Sequence, residues 1–343
     1  MSVLTRYRLI GLAIALVLFI ADQATKTYIL DGLQLQLGQS HYIMPIFQFT
    51  LTHNYGVSLG MFTATSQEMR WALVALTSGL TPKGQDLGSN QVKPLTLPQV
   101  LLIAGPGMNS TEAGEAWYNL ERLAGVSPTL TEPQRLRQLD LSRYSHILLP
   151  DGNYNQWQEK EINQLKQWAE QGGVLWGHKR GAAWLAKAGL LKAGVWQGEE
   201  MSSLIPNHDL SYQDREMLAG KQRIAGAIYQ AELDLSHPLT FGLTRATLPV
   251  FKNSNLLLQP SQAPFVNVAT YSAQPHLAGY TAGEYLPRIA QGAALVAHNL
   301  GQGRVIGMTD NPVFRGYFKG SSRLLINAMY LSHGFSASSQ TEE

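Results

Sequence analysis

The sequence predicts an α/β protein with a doubly wound, mostly parallel sheet, preceded by one N-terminal transmembrane helix and a small extracytoplasmic β segment. Residues 9–21 form an uninterrupted apolar run, residues 77–98 are polar and rich in Gly, Pro and Ser, and short apolar runs alternate with amphipathic segments from residue 99. Such alternation is typical of an open parallel sheet with helices on both faces. We therefore divide the chain into a membrane segment (1–76), a linker (77–98), an α/β domain (99–335) and a disordered tail (336–343).

The composition excludes several classes of function. Hydrophobic residues make up 45% of the 343 residues and charged residues 15%, which is typical of a folded protein. The net charge of +2 is nearly neutral, and no Lys/Arg run is interleaved with aromatics, so we expect no nucleic-acid partner. The absence of cysteine excludes disulfides, a thiolate zinc site and a cysteine nucleophile. No histidine stands in HExxH or HxxE spacing, so we predict no metal site and no cofactor.

The apolar run 9–21 predicts a membrane anchor. It follows Arg6 and Arg8, and the positive-inside rule keeps this flank in the cytoplasm. The run is shorter than the roughly 20 residues of a spanning helix, so the helix has to continue through Asp22. No A-x-A cleavage site follows, which favours a retained anchor over a cleaved signal. We expect a single-pass protein of the bacterial inner membrane with its large domain in the periplasm.

Several ordered motifs follow the apolar run: 22–26 (DQATK), 44–47 (MPIF) and 49–58 (FTLTHNYGVS). Residues 1–76 thereby resemble lipoprotein signal peptidase, a family of inner-membrane aspartic peptidases that cleave signal peptides from lipid-modified prolipoproteins. The resemblance implies that Asp22, Asn54 and Gly56 match positions that support the active site. Taken alone, Asp22 is better explained as a helix-end carboxylate that reaches the membrane interface, and the motifs around it favour the resemblance. The family's two catalytic aspartates lie in GNxxDR and FNxADS motifs that this sequence lacks, so no catalytic residue is carried over.

The elements of the large domain follow one another in a regular order. Residues 100–104 (VLLIA) predict a buried strand, and Gly105-Pro106-Gly107 predicts a turn before a helix over 111–123. A strand at 147–149 precedes a helix at 157–171, in which Ile162, Leu165 and Trp168 recur at helical spacing. A third strand at 174–176 leads into a helix at 182–188.

The turn at 177–181 (GHKRG) has the form of a nucleophile elbow, in which a strained strand-to-helix turn lifts its central side chain above the sheet. The centre is Lys179, whereas class I glutamine amidotransferases have a cysteine there. A lysine can form a Schiff base if desolvation lowers its pKa, but the neighbouring His178 and Arg180 give no support for this.

Longer motifs of the large domain carry a second resemblance. They are 109–115 (NSTEAGE), 233–239 (LDLSHPL), 247–251 (TLPVF), 301–306 and 310–316 (DNPVFRG). Residues 78–335 resemble the C-terminal class I glutamine amidotransferase-like, flavodoxin-like domain of bacterial M14-type zinc carboxypeptidases. In that family a separate preceding domain binds the zinc, so the resemblance implies neither zinc nor carboxypeptidase chemistry here.

Two polar clusters are candidate parts of a ligand pocket. Asn109, Ser110, Glu112 and Glu115 lie where the first strand meets a helix, the edge at which doubly wound sheets bind ligands. Helix capping by Asn109 or Ser110 explains the same residues. The second cluster pairs Asp310 with Arg315, although an Asx-Pro turn explains residues 310–312 equally well.

Three hypotheses for function follow from the sequence. The first is an exported, membrane-anchored module that binds a peptide or polysaccharide without a complete catalytic site. The second is a peptidase of either parent type. The third is a fusion of two truncated peptidase-related genes, because both resemblances break off near residue 77.

Overall fold

The computed structural model describes residues 17, 20, 40–44, 47–50 and 95–335. The chain divides into two compact units, Met1–Pro94 and Leu95–Glu343. In the first unit Val17 and Ile20 are helical, and strands β1 (Ser40–Met44) and β2 (Phe47–Thr50) pair antiparallel.

The predicted membrane helix lies outside the described residues, apart from Val17 and Ile20. Asp22, Asn54 and Gly56 also lie outside them. Within the described part of the chain, no helix is both long enough and apolar enough to cross a membrane.

The second unit is built on one mixed sheet of eleven strands among the described residues. The strands are β3 (Val100–Ile103), β4 (Thr129–Thr131), β5 (His146–Leu149), β6 (Val174–His178), β7 (Val195–Trp196), β8 (Ala227–Leu233), β9 (Thr247–Lys252), β10 (Leu257–Leu258), β11 (Asn267–Gly279), β12 (Ala293–Leu300) and β13 (Gly303–Met308). The main path runs β4-β3-β5-β6-β13-β12-β11-β8-β9, and β10 bridges β12 and β7.

Within residues 95–335, seven α-helices connect and cover the strands. They are α1 (Ser110–Asn119), α2 (Glu159–Glu170), α3 (Arg180–Lys187), α4 (Gly198–Ser202), α5 (Arg215–Lys221), α6 (Leu286–Ile289) and α7 (Lys319–Leu331). A π-helical turn (Leu120–Ala124) extends α1, and short 3-10 turns occupy Pro133–Gln138, Leu141–Arg143, Tyr212–Asp214, Pro238–Thr240, Gly283–Tyr285, Phe314–Gly316 and Ser332–Gly334. The three strands and three helices predicted between residues 100 and 188 are thereby confirmed.

Only half of the sheet is parallel, so the prediction of a mostly parallel sheet is wrong. Strands β4, β3, β5, β6 and β13 pair in parallel. From β13 onward, β12, β11, β8 and β9 pair antiparallel. The reversal begins at the short connection of Gly301 and Gln302 between β12 and β13, because a loop of two residues can only join antiparallel neighbours.

Helices cover both faces of the parallel half. The chain leaves β3 toward one edge to reach β4, and later leaves β5 toward the other edge to reach β6. Right-handed crossovers in opposite directions put α1 and α2 on opposite faces. Because β3, β5, β6 and β13 run parallel, their carboxyl ends meet at one edge of the sheet. The segments that follow these strands bring polar side chains together at that edge.

Candidate functional site

The turn between β6 and α3 has the geometry of a nucleophile elbow. Lys179 has φ 49° and ψ −118°, a conformation that non-glycine residues rarely adopt. Its backbone N–H donates to the carbonyl of Met308, 2.8 Å away. Glycine is required on both sides, since a Cβ at Gly177 would crowd the N–H of Ala182 and one at Gly181 would overlap the carbonyl oxygen of Leu149. Strained backbone of this kind is held at functional sites by the surrounding structure.

The ammonium group of Lys179 lies between two carboxylates. It donates to Glu112 Oε1, and Nζ lies 3.4 Å from Asp151 Oδ2. Glu112 comes from the first turn of α1, and Asp151 follows β5. The side chains of Lys179, Glu112 and Asp151 are only 6%, 4% and 7% exposed, so the three charges form a nearly dry cluster.

Asp151 is held as a carboxylate. Arg180 donates to it from Nε to Oδ1 at 2.6 Å and from Nη2 to Oδ2 at 3.1 Å, and Asn109 donates from Nδ2 to Oδ2 at 3.3 Å. Burial favours the neutral acid, but the hydrogen bond from Arg180 and the charges of Lys179 and Arg180 hold the pKa of Asp151 well below its usual range.

The pKa of Glu112 is shifted in the opposite direction to that of Asp151. Burial raises its pKa to about 7, although the charge of Lys179 opposes the rise. Its Oε2 has no hydrogen-bond partner among the described residues and faces His178 Nε2 at 3.8 Å. Trp176 donates from Nε1 to His178 Nδ1 at 3.4 Å, and burial lowers the pKa of His178 to about 3. His178 is therefore neutral with its proton on Nε2, pointing toward Glu112.

Glu115 forms a separate contact with the loop after β13. It accepts from Asn311 Nδ2 and from the backbone N–H of Arg315, each at 2.8 Å. Arg315 has φ 50°, and its guanidinium carbon lies 5.1 Å from the ring centroid of Phe314.

Asp310 belongs to a third, fully buried cluster. Lys252 donates to its Oδ1 at 3.0 Å, and the hydroxyl of Tyr271 lies 2.7 and 2.6 Å from its two oxygens. Burial lowers the pKa of Lys252 and raises that of Tyr271. The ionic partner of Asp310 is therefore Lys252. Arg315 instead donates its backbone N–H to Glu115, so the predicted pairing of Asp310 with Arg315 is wrong. The residues after Asp310 also form an Asx turn, in which Asn311 Oδ1 accepts from the N–H of Val313 at 3.0 Å.

The predicted residues thus fall into separate groups. Asn109 and Glu112 join Lys179, and Asn109 also caps α1, because its Oδ1 accepts from the N–H of Glu112 at 3.3 Å. Ser110 is the exposed first residue of α1. Sequence reasoning does not identify Asp151, although an acidic residue two positions after the buried strand β5 is a usable signal. Across the described residues, no group of three or more His, Asp or Glu is arranged to hold a metal ion.

Comparison with known proteins bears on the N-terminal part. Residues 14–82 match the family model of signal peptidase (SPase) II. A lipoprotein signal peptidase of Sphingopyxis alaskensis is 37% identical over 71 residues, which are 21% of this chain and 41% of that protein. The N-terminal part is similar to signal peptidase II. The chain spans less than half the length of this curated relative, and the described α/β unit lies outside the match.

Solved structures resemble the chain at low sequence identity. A ThuA-like protein from Parabacteroides merdae is 14% identical, with a TM-score of 0.47 over 72% of this chain and 93% of that one. A β-galactosidase from Bacillus circulans is 12% identical, with a TM-score of 0.40 over 67% of this chain and 30% of that one.

Proposed function

We propose that the chain is a membrane-anchored, exported, amidotransferase-like module that binds a ligand, lacks a complete catalytic site, and arose by fusion of two truncated peptidase-related genes. One observation carries the proposal. The elbow position, where an acyl-transfer enzyme needs its nucleophile, holds Lys179 paired with the buried carboxylates of Glu112 and Asp151. An ammonium group in this setting has no free lone pair, and the chain has no cysteine to replace it.

The location of the ligand site is inferred from the sheet. Ligands of α/β sheets bind outside the carboxyl ends of parallel strands, which is where Lys179, Glu115 and the 310–316 loop lie. Tyr118 and Tyr317 are 50% and 59% exposed, and Gly316 packs against the ring of Tyr118. Exposed aromatic rings beside polar groups are suited to a peptide or a polysaccharide.

The match of residues 14–82 to signal peptidase II supports a peptidase-related origin, a membrane location and the alternative of peptidase activity. Hydrolysis by two aspartates requires both carboxyl groups at one site, sharing a proton. Because the GNxxDR and FNxADS motifs are absent from the sequence, we favour the module over the peptidase.

Hydrolysis assays test the lack of catalysis. The full chain, purified in detergent, is incubated with a lipid-modified prolipoprotein peptide and with peptides that have free C-termini. We expect no turnover above buffer, for wild type and for Lys179→Met alike. Turnover that disappears in Lys179→Met would contradict the proposal at the elbow, and turnover that persists would favour the peptidase alternative.

The fusion is tested at the level of DNA. Sequencing across the codons for residues 70–85, together with the flanking genes, shows whether independent isolates share the junction. We expect the same junction to recur, as it would for a selected module. A junction present in one isolate alone would contradict an evolved function of the fused product.

A further inference from the structure

We propose that a cavity beside β9 binds an apolar side chain of an acidic peptide, so that the ligand of the module is a peptide and not a polysaccharide. This inference rests on the proposed function, because it names the ligand class beside the same 310–316 loop. The lining of the cavity, the aromatic rings next to it, the open edge of β9 and the surrounding charges support it.

The cavity lies between β9 and the start of α7. Leu248 and Pro249 line it from β9, and the other lining residues are Tyr317, Phe318 and Gly320. Its volume is about 240 Å³, which is below the roughly 300–1,000 Å³ of sites that enclose a whole drug-sized ligand. The cavity therefore suits one side chain of a longer ligand.

The lining favours an apolar side chain over a sugar ring. Among the lining side chains, only that of Tyr317 carries a polar atom, its hydroxyl oxygen. A sugar ring in this cavity would lose the hydration of several hydroxyl groups, and each hydroxyl without a new partner weakens binding. The side chain of leucine or phenylalanine has no polar group to satisfy and gains from burial.

Stacked aromatic rings hold one wall of the cavity in place. Phe251 of β9 stacks on Phe314 with ring centroids 3.6 Å apart, and the ring of Phe318 lies 5.7 and 6.0 Å from the two. The Tyr317 ring is 5.1 Å from that of Phe318 and 59% exposed, so it stands at the mouth of the cavity. A wall that is formed before binding lowers the entropy cost of binding.

The outer edge of β9 is suited to an extended peptide. Strand β9 ends the main path of the sheet, and among the described residues its outer edge is bridged only at Phe251, to Asn311. A peptide carries backbone N–H and C=O groups that pair with an open strand edge, which a polysaccharide lacks. Pro249 has no N–H, which limits such pairing to a short segment.

The charges around the cavity are positive. Lys319 stands between two lining residues, and Arg315 and Arg323 lie on the same loop and on the next turn of α7. All three side chains are exposed. Residues 235–251 and 312–335, which carry the cavity, contain no Asp or Glu. A surface of this kind complements an acidic ligand.

The carboxylates near the cavity do not cancel this charge. Glu115 already accepts hydrogen bonds from Asn311 and from the backbone of Arg315, and Asp310 is buried with Lys252. The exposed Glu232 lies opposite Thr247, at the end of β9 that is far from the loop.

Binding to a set of short peptides tests the proposal. The full chain, purified in detergent, is titrated with peptides whose central residue is Leu, Phe or Ser and whose flanking residues are Glu, Gln or Lys, and calorimetry gives each Kd. We expect the Glu-flanked Leu and Phe peptides to bind most tightly. The Glu-flanked Ser peptide should bind about 10- to 100-fold more weakly, because no apolar side chain is buried. Added NaCl should narrow the difference between Glu- and Lys-flanked peptides, because salt screens exposed charges.

Several results would overturn the proposal. Equal affinity for Glu- and Lys-flanked peptides would exclude an acidic ligand, and equal affinity for the Leu and Ser peptides would exclude the cavity as the site. Binding of maltohexaose, or of nothing, when every peptide fails at about 1 mM would exclude a peptide ligand. Failure of the proposed function is a separate result, because it appears as turnover in the hydrolysis assays.

Matched variants locate the site. Gly320→Ala places a methyl group 2.8 Å from Cδ1 of Leu248, the flexible end of a side chain, and narrows the cavity. It should weaken binding of the Leu peptide about tenfold, whereas Gly220→Ala, which meets no atom within 4 Å, should leave the Kd unchanged. Lys319→Gln should weaken the Glu-flanked peptides severalfold, and Lys160→Gln on α2 should not. An unchanged Kd in folded Gly320→Ala and Lys319→Gln would overturn the assignment of the cavity.

Discussion

Glu112 is the residue at which burial and charge compete most directly. Its pKa of about 7 in the folded state exceeds the value of 4.5 for an unperturbed glutamate. Between pH 4.5 and pH 7 the folded state therefore binds one proton more than the unfolded state does. The contribution of this proton to the free energy of unfolding is fully present below pH 4.5 and is lost as the pH rises through 7.

A comparison of wild type with Glu112→Gln isolates this effect, because glutamine has the same shape and does not titrate. We expect the free energy of unfolding of wild type, relative to the variant, to fall by about 3 kcal/mol between pH 4.5 and pH 7.5. Urea unfolding at a series of pH values measures it. A difference that stays constant with pH would show that Glu112 titrates as an ordinary glutamate.

At the same scale, the sequence predicts site residues that belong to a motif and misses those that depend on pairing. Lys179 is predictable because two glycines frame it, and Glu112 because it lies at the start of a helix that follows a buried strand. Lys252 was not found, although it shares an alternating face with buried Leu248 and Val250. Its partner Asp310 is 58 residues away in the chain, and no local pattern indicates that distant pairing.

At the scale of elements, replacing a glycine by alanine should have opposite effects on stability in the elbow and in α1. Gly181→Ala should destabilise the domain by more than about 2 kcal/mol, because the added methyl group overlaps a carbonyl oxygen of β5. Gly114→Ala lies within α1 with open space around it, and should stabilise the domain by about 0.5–1 kcal/mol. Thermal unfolding of the two variants tests the pair, and equal effects would contradict the tight elbow.

The strands show why only half of the sheet was predictable. The strands from β3 to β6 alternate with amphipathic helices, and this alternation is itself the evidence for parallel pairing. Strand β12 begins with a continuous apolar run, residues 293–297, and such a run alone does not distinguish a strand from a buried helix. Its direction is set by the two-residue connection to β13, where Gly301 has φ 59°. That turn is the signal for the first antiparallel pair, β12 with β13.

At the scale of the whole molecule, the described hydrophobic core lies entirely between Val100 and Phe335. We expect a fragment of residues 95–335 to unfold cooperatively, since it contains every core residue that the structure describes. Fluorescence of the buried Trp157 and Trp176 reports the transition. A fragment that ends at residue 317 is the control. It lacks α7, whose Leu324 and Leu325 are buried, and should lose cooperative unfolding. A gradual, non-cooperative transition for 95–335 would contradict a complete core within this fragment.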